Sequence, residues 1–153
     1  MSFLKKYSDE IGSLAAIFGV VIGLVGFSMT IYQLWSTDRT LQATNSYQIQ
    51  KDAREIISDI SQDGLLSQAR SGAALDEQKQ ELLQRKLWRM SNFYLSVFRQ
   101  HEAGGINGEF SEAFQSDFCQ FVGSSLVSAE WEKMLSSSMI SESHQNMRET
   151  WCG

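Results

Sequence analysis

The segment from Ile11 to Thr37 contains no charged side chain, although charged residues flank it on both sides. Its first 25 residues, 11–35, would extend roughly 37 Å as a helix that rises about 1.5 Å per residue. The hydrocarbon core of a bilayer is about 30 Å thick, so the segment predicts a single membrane-spanning helix. A cleaved secretory signal is disfavoured because no small-x-small cleavage site follows Leu34 and Trp35.

Small residues recur along one face of this predicted span at steps of four and three residues. A smooth face of this kind lets helix backbones approach closely, as in spans that self-associate. The alternative is that glycine is simply common in membrane helices. We expect packing between copies, with a tetramer as one candidate, through a stripe formed by Gly12, Ala16, Gly19, Gly23, Gly26 and Thr30.

The orientation of the span stays open. Lys5 and Lys6 precede it, whereas Arg39 follows it closely and further basic residues come later. The numbers of positive charges on the two sides of the span are therefore nearly equal. The cysteines do not decide the compartment either, because Cys119 and Cys152 fit a disulfide outside the cell or two thiols inside it.

The rest of the chain predicts an all-α fold in which a helical stalk leads to a compact multi-helix soluble domain. Residues 36–50 are polar but contain no Gly or Pro, which favours a continuous helix over a flexible linker. No stretch alternates like a strand. We predict an N-terminal tail, a transmembrane helix, a stalk with the first soluble helix, and a helical domain at 1–10, 11–35, 36–62 and 63–153.

Three helices of the domain are predicted from caps and apolar periodicity. Asp76 is a plausible N-cap for a helix that runs to about His101 and ends in a glycine pair. Residues 109–122 carry an aromatic stripe that is typical of a domain core. Trp131 and Met134 lie on a short helix, and Met147 and Trp151 suggest a last one.

One face of the helix after Asp76 collects basic and aromatic side chains at three- and four-residue steps. In an acidic chain, such a face is a candidate site for a small phosphorylated ligand, because guanidinium groups bind phosphates and Trp stacks on bases. The net charge of −5 argues against duplex nucleic acid. The basic face comprises Arg85, Trp88, Arg89, Asn92 and Arg99, with His101 beyond it.

A simpler interpretation of the basic face is also open. Glu81 lies four residues before Arg85, so these two side chains can form an ion pair on a solvated helix surface. Trp88 would then merely pack against a neighbouring helix. Under this interpretation the face binds no small ligand.

The side chains that catalysis or metal binding requires do not cluster in this sequence. Cys119 lies between Phe118 and Phe121, which favours a buried, inert thiol over a nucleophile. The two His and two Cys do not follow metal-ligand spacings, and the glycines near Gly104 lack the Lys-Ser/Thr of a phosphate loop. We expect no enzyme, no cofactor and no metal site.

The layout resembles that of small single-span bacterial membrane proteins with a helical soluble domain. Its middle carries NFYLSVFRQHEAGGINGEF. In particular, the chain resembles the membrane effectors of type III CRISPR systems, whose soluble domains bind cyclic tetra-adenylate as an oligomer. The resemblance implies a bacterial inner-membrane protein with a cytoplasmic domain that binds this cyclic oligoadenylate and perturbs the membrane in antiviral defence.

The alternative function is a membrane-tethered adaptor or assembly protein. In that case the small-residue stripe packs against another protein's span, and the aromatic-rich domain docks a protein partner and no nucleotide. The effector function requires that the basic face binds a nucleotide, whereas the adaptor function requires no nucleotide there.

Overall fold

The computed structural model describes the backbone of residues 2–153 and the side chains of residues 18–153. All six of the elements in residues 2–153 are helices, which confirms the all-α prediction for the described chain. The chain divides into two compact units, Met1–Leu41 and Gln42–Gly153. The helices are α1 (Ser2–Ser61), α2 (Leu65–Arg70), α3 (Glu77–Glu102), α4 (Gly108–Gly123), α5 (Ser125–Ser136) and α6 (Glu142–Cys152).

Helix α1 contains both the apolar segment and the predicted stalk. By length and composition, it is the one helix in residues 18–153 that could cross a membrane. Its apolar side chains from Phe18 to Trp35 are exposed. The side chains of the predicted tail 1–10 and of Gly12 and Ala16 lie outside the described residues.

The core of the C-terminal unit, Gln42–Gly153, is built from apolar side chains of the end of α1 and of α2 to α6. Phe118 of the aromatic stripe is fully buried and contacts the rings of Trp131 and Trp151 at centroid distances of 6.0 and 5.7 Å. The predicted core role of this stripe is thus confirmed. The most buried large side chains are Trp131, Phe118, Leu87, Met134 and Met147.

The ends of α3 and the start of α4 follow their sequence signals. The Asp76 carboxylate accepts from the backbone N–H of Lys79 at 2.8 Å, and Asn107 caps α4 by accepting from Phe110 N–H at 2.7 Å. Gly104 closes α3 with a φ of 72°, a conformation that suits glycine. These contacts confirm the predicted N-cap and the glycine stop.

A buried lysine fixes the end of α1 against α3. Lys86 is 8% exposed, donates to the backbone carbonyl of Asp59 and lies 3.0 Å from the Asp63 carboxylate. The carbonyl belongs to the last turn of α1, where backbone acceptors lack helical partners. The hydrogen bond from Lys86 lowers the pKa of Asp63.

Cys119 and Cys152 form a disulfide that links α4 to the end of α6. The Cα atoms are 5.5 Å apart, which lies within the usual range for a bridge. The interpretation of Cys119 as a buried free thiol is therefore wrong. The sequence alone left the pairing open, because the two cysteines are separated by 33 positions and by the whole of α5.

Candidate functional site

Helix α3 places four residues of the basic face close together. Trp88 and Arg89 lie three and four residues after Arg85, and Asn92 lies four and three residues after them, so the four side chains share one side of the helix. Arg99 lies on the same side, but 14 residues after Arg85, which corresponds to about 21 Å along the axis. One small ligand cannot contact both ends of the face in a single chain.

The arginines at the start of the face already have acidic partners. Arg85 lies 3.2 Å from Glu81, which confirms the local ion pair weighed from the sequence. Arg89 lies 3.1 Å from Asp59 of α1. Because all four side chains are about half exposed or more, each pair contributes at most about 1 kcal/mol to stability. The pairs nevertheless give this end of the face both signs of charge.

Trp88 is held in place while much of its ring stays exposed. Its indole N–H donates to the backbone carbonyl of Met139 at 2.9 Å, yet the residue is 42% exposed. Met139, which supplies that carbonyl, is itself 37% exposed. The Asn92 amide donates to the Trp88 carbonyl at 2.8 Å. The tryptophan is thus presented in one orientation.

His101 does not join the other residues of the predicted site. It follows Arg99 by two positions, and residues at that spacing point to different sides of a helix. Its Nδ1 lies 3.1 Å from Ser111 Oγ on α4, and the residue is half-buried. Arg99 is exposed, and none of the ion pairs found in residues 18–153 includes it.

A cavity of about 290 Å³ lies beside the basic face, between α1 and α3. Arg89 and Asn92 line it together with the carboxyl-bearing Asp52 and Glu55. Sequence reasoning missed these acidic residues because only the packing of α1 on α3 brings them to the face. Their negative charge opposes the entry of a polyanion.

The described side chains do not form a cluster of potential metal ligands. No group of three or more His, Cys, Asp or Glu in residues 18–153 is arranged to hold an ion.

His144 is a buried titratable group whose charge interacts with that of Arg99, at the end of the basic face. It is 4% exposed, and its Nδ1 accepts from the backbone N–H of Ser141 at 3.1 Å in the capping box of α6. Its buried Nε2 has no hydrogen-bond partner within residues 18–153. Burial lowers the pKa of His144 below 6.5, and the positive charge of Arg99 lowers it further.

We expect the C-terminal unit to lose stability as the pH falls from 7 to 5. The unfolded chain takes up a proton on His144 near its ordinary pKa of 6.5, whereas the folded state resists that proton until lower pH. Urea unfolding at several pH values, followed by near-UV circular dichroism, measures the loss.

His144→Gln is the matched variant for this experiment. Glutamine preserves the capping box without a titratable ring, so the slope of unfolding free energy against pH should become shallower between pH 7 and 5. An unchanged slope in the variant would show that another group causes the dependence.

Comparison with known proteins gives no relative from which a role can be transferred. No family model, curated protein or solved structure matches the chain.

Proposed function

We propose that this protein is a membrane-anchored adaptor whose C-terminal unit binds a segment of a protein partner on the basic face. The observation that carries the proposal is Trp88, a half-exposed ring held in one orientation by its hydrogen bond to Met139. Tryptophan and arginine are the residue types that most often dominate protein–protein binding energy. The exposed Trp88 ring supplies an apolar centre, and the charged pairs of Arg85 and Arg89 share its side of α3.

The signs of the surrounding charges favour a protein over a polyanion. Glu81 and Asp59 lie beside the two arginines, and Asp52 and Glu55 line the adjacent cavity. A ligand with several phosphates would meet these carboxylates as well as the guanidinium groups. A protein segment could place an aliphatic side chain on the Trp88 ring. Its charged side chains, of both signs, could then pair with the arginines and carboxylates around that ring.

Cyclic tetra-adenylate binding remains a prediction. The exposed ring of Trp88 and the exposed guanidinium of Arg99 are the features that support it. An oligomer would present these groups several times to one symmetric ligand. The carboxylates beside Arg85 and Arg89 repel phosphates, so cyclic tetra-adenylate binding is less well supported than the adaptor function.

The adaptor function is tested by photo-crosslinking in cells with a photoreactive amino acid at Ser96, on the rim of the face. We expect a discrete adduct with one protein, lost when Trp88→Asp is added because the apolar centre is gone. The same amino acid at Glu112, exposed on α4, is the position control. Identical adducts from both positions, or none from Ser96, would overturn the proposal.

A ligand titration separates the two functions. Full-length protein in detergent is heated with cyclic di-, tri-, tetra- and hexa-adenylate and with linear controls. A ligand that binds the folded state raises the melting temperature. A rise specific to one cyclic species, abolished by Arg85→Glu, would favour the nucleotide sensor over the adaptor.

We further propose that copies associate in a bacterial inner membrane through the small-residue stripe. Its described glycines, Gly19, Gly23 and Gly26, each have open space where a Cβ would stand, so none of residues 18–153 covers the face at these positions. A second copy of the span can therefore approach closely there.

Gly19→Ile combined with Gly23→Ile should reduce the oligomer to monomers in mild detergent. The added side chains hold neighbouring backbones apart, and the molar mass from light scattering reports the change. Val21→Ile with Val25→Ile adds bulk on the opposite side of α1 and should leave the mass unchanged. Retention of the oligomer by the glycine variant would place the contact elsewhere.

A further inference from the structure

The disulfide between Cys119 and Cys152 has the properties of a structural bridge. The cysteines are 33 residues apart, unlike the closely spaced pairs of catalytic dithiols. Cys119 follows the fully buried Phe118, and Cys152 follows Trp151, which is 8% exposed and packs on Phe98 and Phe118. The bridge therefore ties the last residue of α6 to α4 over the aromatic core.

Other contacts already bring the two cysteines together. The Gln115 amide donates to the Trp151 carbonyl at 2.9 Å, so α4 holds the end of α6 by a hydrogen bond beside the bridge. Cys152 is exposed and Cys119 is half-buried. The folded unit can thus position both thiols for oxidation and leave one of them accessible to an oxidant.

We propose that Cys119 and Cys152 are a site of oxidation by an extracytoplasmic protein thiol–disulfide oxidoreductase, and that the C-terminal unit consequently lies outside the cytoplasm. The oxidant's disulfide accepts two electrons and becomes two thiols. The two cysteine thiols give up these electrons and two protons, and their sulfurs become bonded. Such bridges persist in oxidising compartments, whereas cytoplasmic reductants keep thiols reduced.

The basic residues around the span permit this orientation. With the C-terminal unit outside, Lys5 and Lys6 lie on the cytoplasmic side and Arg39 on the other, and the positive-inside count is nearly balanced between the two orientations. The inference rests on the proposed membrane anchor. This orientation places the basic face outside the cytoplasm, whereas the resemblance implies a cytoplasmic location. A protein that binds the basic face would then be extracytoplasmic as well.

The first measurement is the redox state of the full-length protein in cells. Intact cells are treated with membrane-permeant N-ethylmaleimide, and the protein is then denatured, reduced and labelled with maleimide-polyethylene glycol. We expect a gel shift of two labels that disappears when reduction is omitted. Cys119→Ser is the control, since its single thiol is blocked at the first step. Absence of the shift in the native sequence would overturn the proposal.

The second measurement is the side of the membrane. Single cysteines are introduced as Ser136→Cys, exposed at the end of α5, or as Ser8→Cys, before the apolar segment, in a Cys119→Ser, Cys152→Ser background. A membrane-impermeant maleimide added to spheroplasts should label the first and not the second. The reverse pattern would overturn the proposal even if the bridge forms.

Alkaline carbonate extraction separates this inference from the proposed anchor. Release of the protein from membranes would contradict the anchor itself. Retention in the membrane together with free thiols would contradict only the oxidation site.

Discussion

Replacing Trp131 with alanine is expected to lower the free energy of unfolding by about 3 to 5 kcal/mol. Trp131 is 1% exposed, and its ring contacts Phe118 and His144 at centroid distances of 6.0 and 6.4 Å. Arg148 also lies over it at 5.7 Å. Truncation removes the contacts of this side chain with α4 and α6, and tightly packed neighbours refill such a cavity only in part.

Urea unfolding of the full-length protein in mild detergent, followed by near-UV circular dichroism, measures this loss. Trp131→Phe keeps an aromatic ring and should cost less than the alanine variant. Trp88→Ala is the matched surface control, because Trp88 is 42% exposed. Similar losses for Trp88→Ala and Trp131→Ala would contradict the core that the structure describes.

Removing the disulfide with Cys119→Ser and Cys152→Ser should cost about 3 to 4 kcal/mol of unfolding free energy, by the loop-closure scale for its separation of 33 residues. The cross-link restricts the unfolded chain, so its loss gives the unfolded state more conformational entropy. The end of α6 keeps its hydrogen bond from Gln115 and its aromatic contacts. The folded arrangement should therefore persist at neutral pH.

The same urea titration, with and without reductant, measures the effect. Reductant should destabilise the native sequence to the level of the serine variant and leave that variant unchanged. Equal stability of the oxidised native protein and the variant would show that the bridge contributes little to the folded unit.

Most of the helices could be predicted from local sequence signals. Asp76, Asn107 and Gly104 act within a few residues of their helix ends, so their roles follow from backbone hydrogen bonding. The absence of Gly and Pro in residues 36–50 predicted that the stalk is helical, and α1 indeed extends to Ser61.

The basic face could be predicted only in part. Helical spacing brought Arg85, Trp88, Arg89 and Asn92 to one side of α3, and the pair of Glu81 with Arg85 follows from the same periodicity. The Asp59 partner of Arg89 and the Met139 carbonyl beneath Trp88 come from distant parts of the chain. Sequence spacing carries no information on such contacts.

By itself, the sequence determined the apolar segment, the order of the main helices and the aromatic stripe that packs in the core, because apolar burial and capping follow a local periodicity. Only the tertiary structure decided that Lys86 holds the end of α1, that acidic side chains of α1 border the basic face, and that Cys119 pairs with Cys152. These features depend on how helices far apart in the chain pack together. Packing is a property of the whole core and not of any one segment.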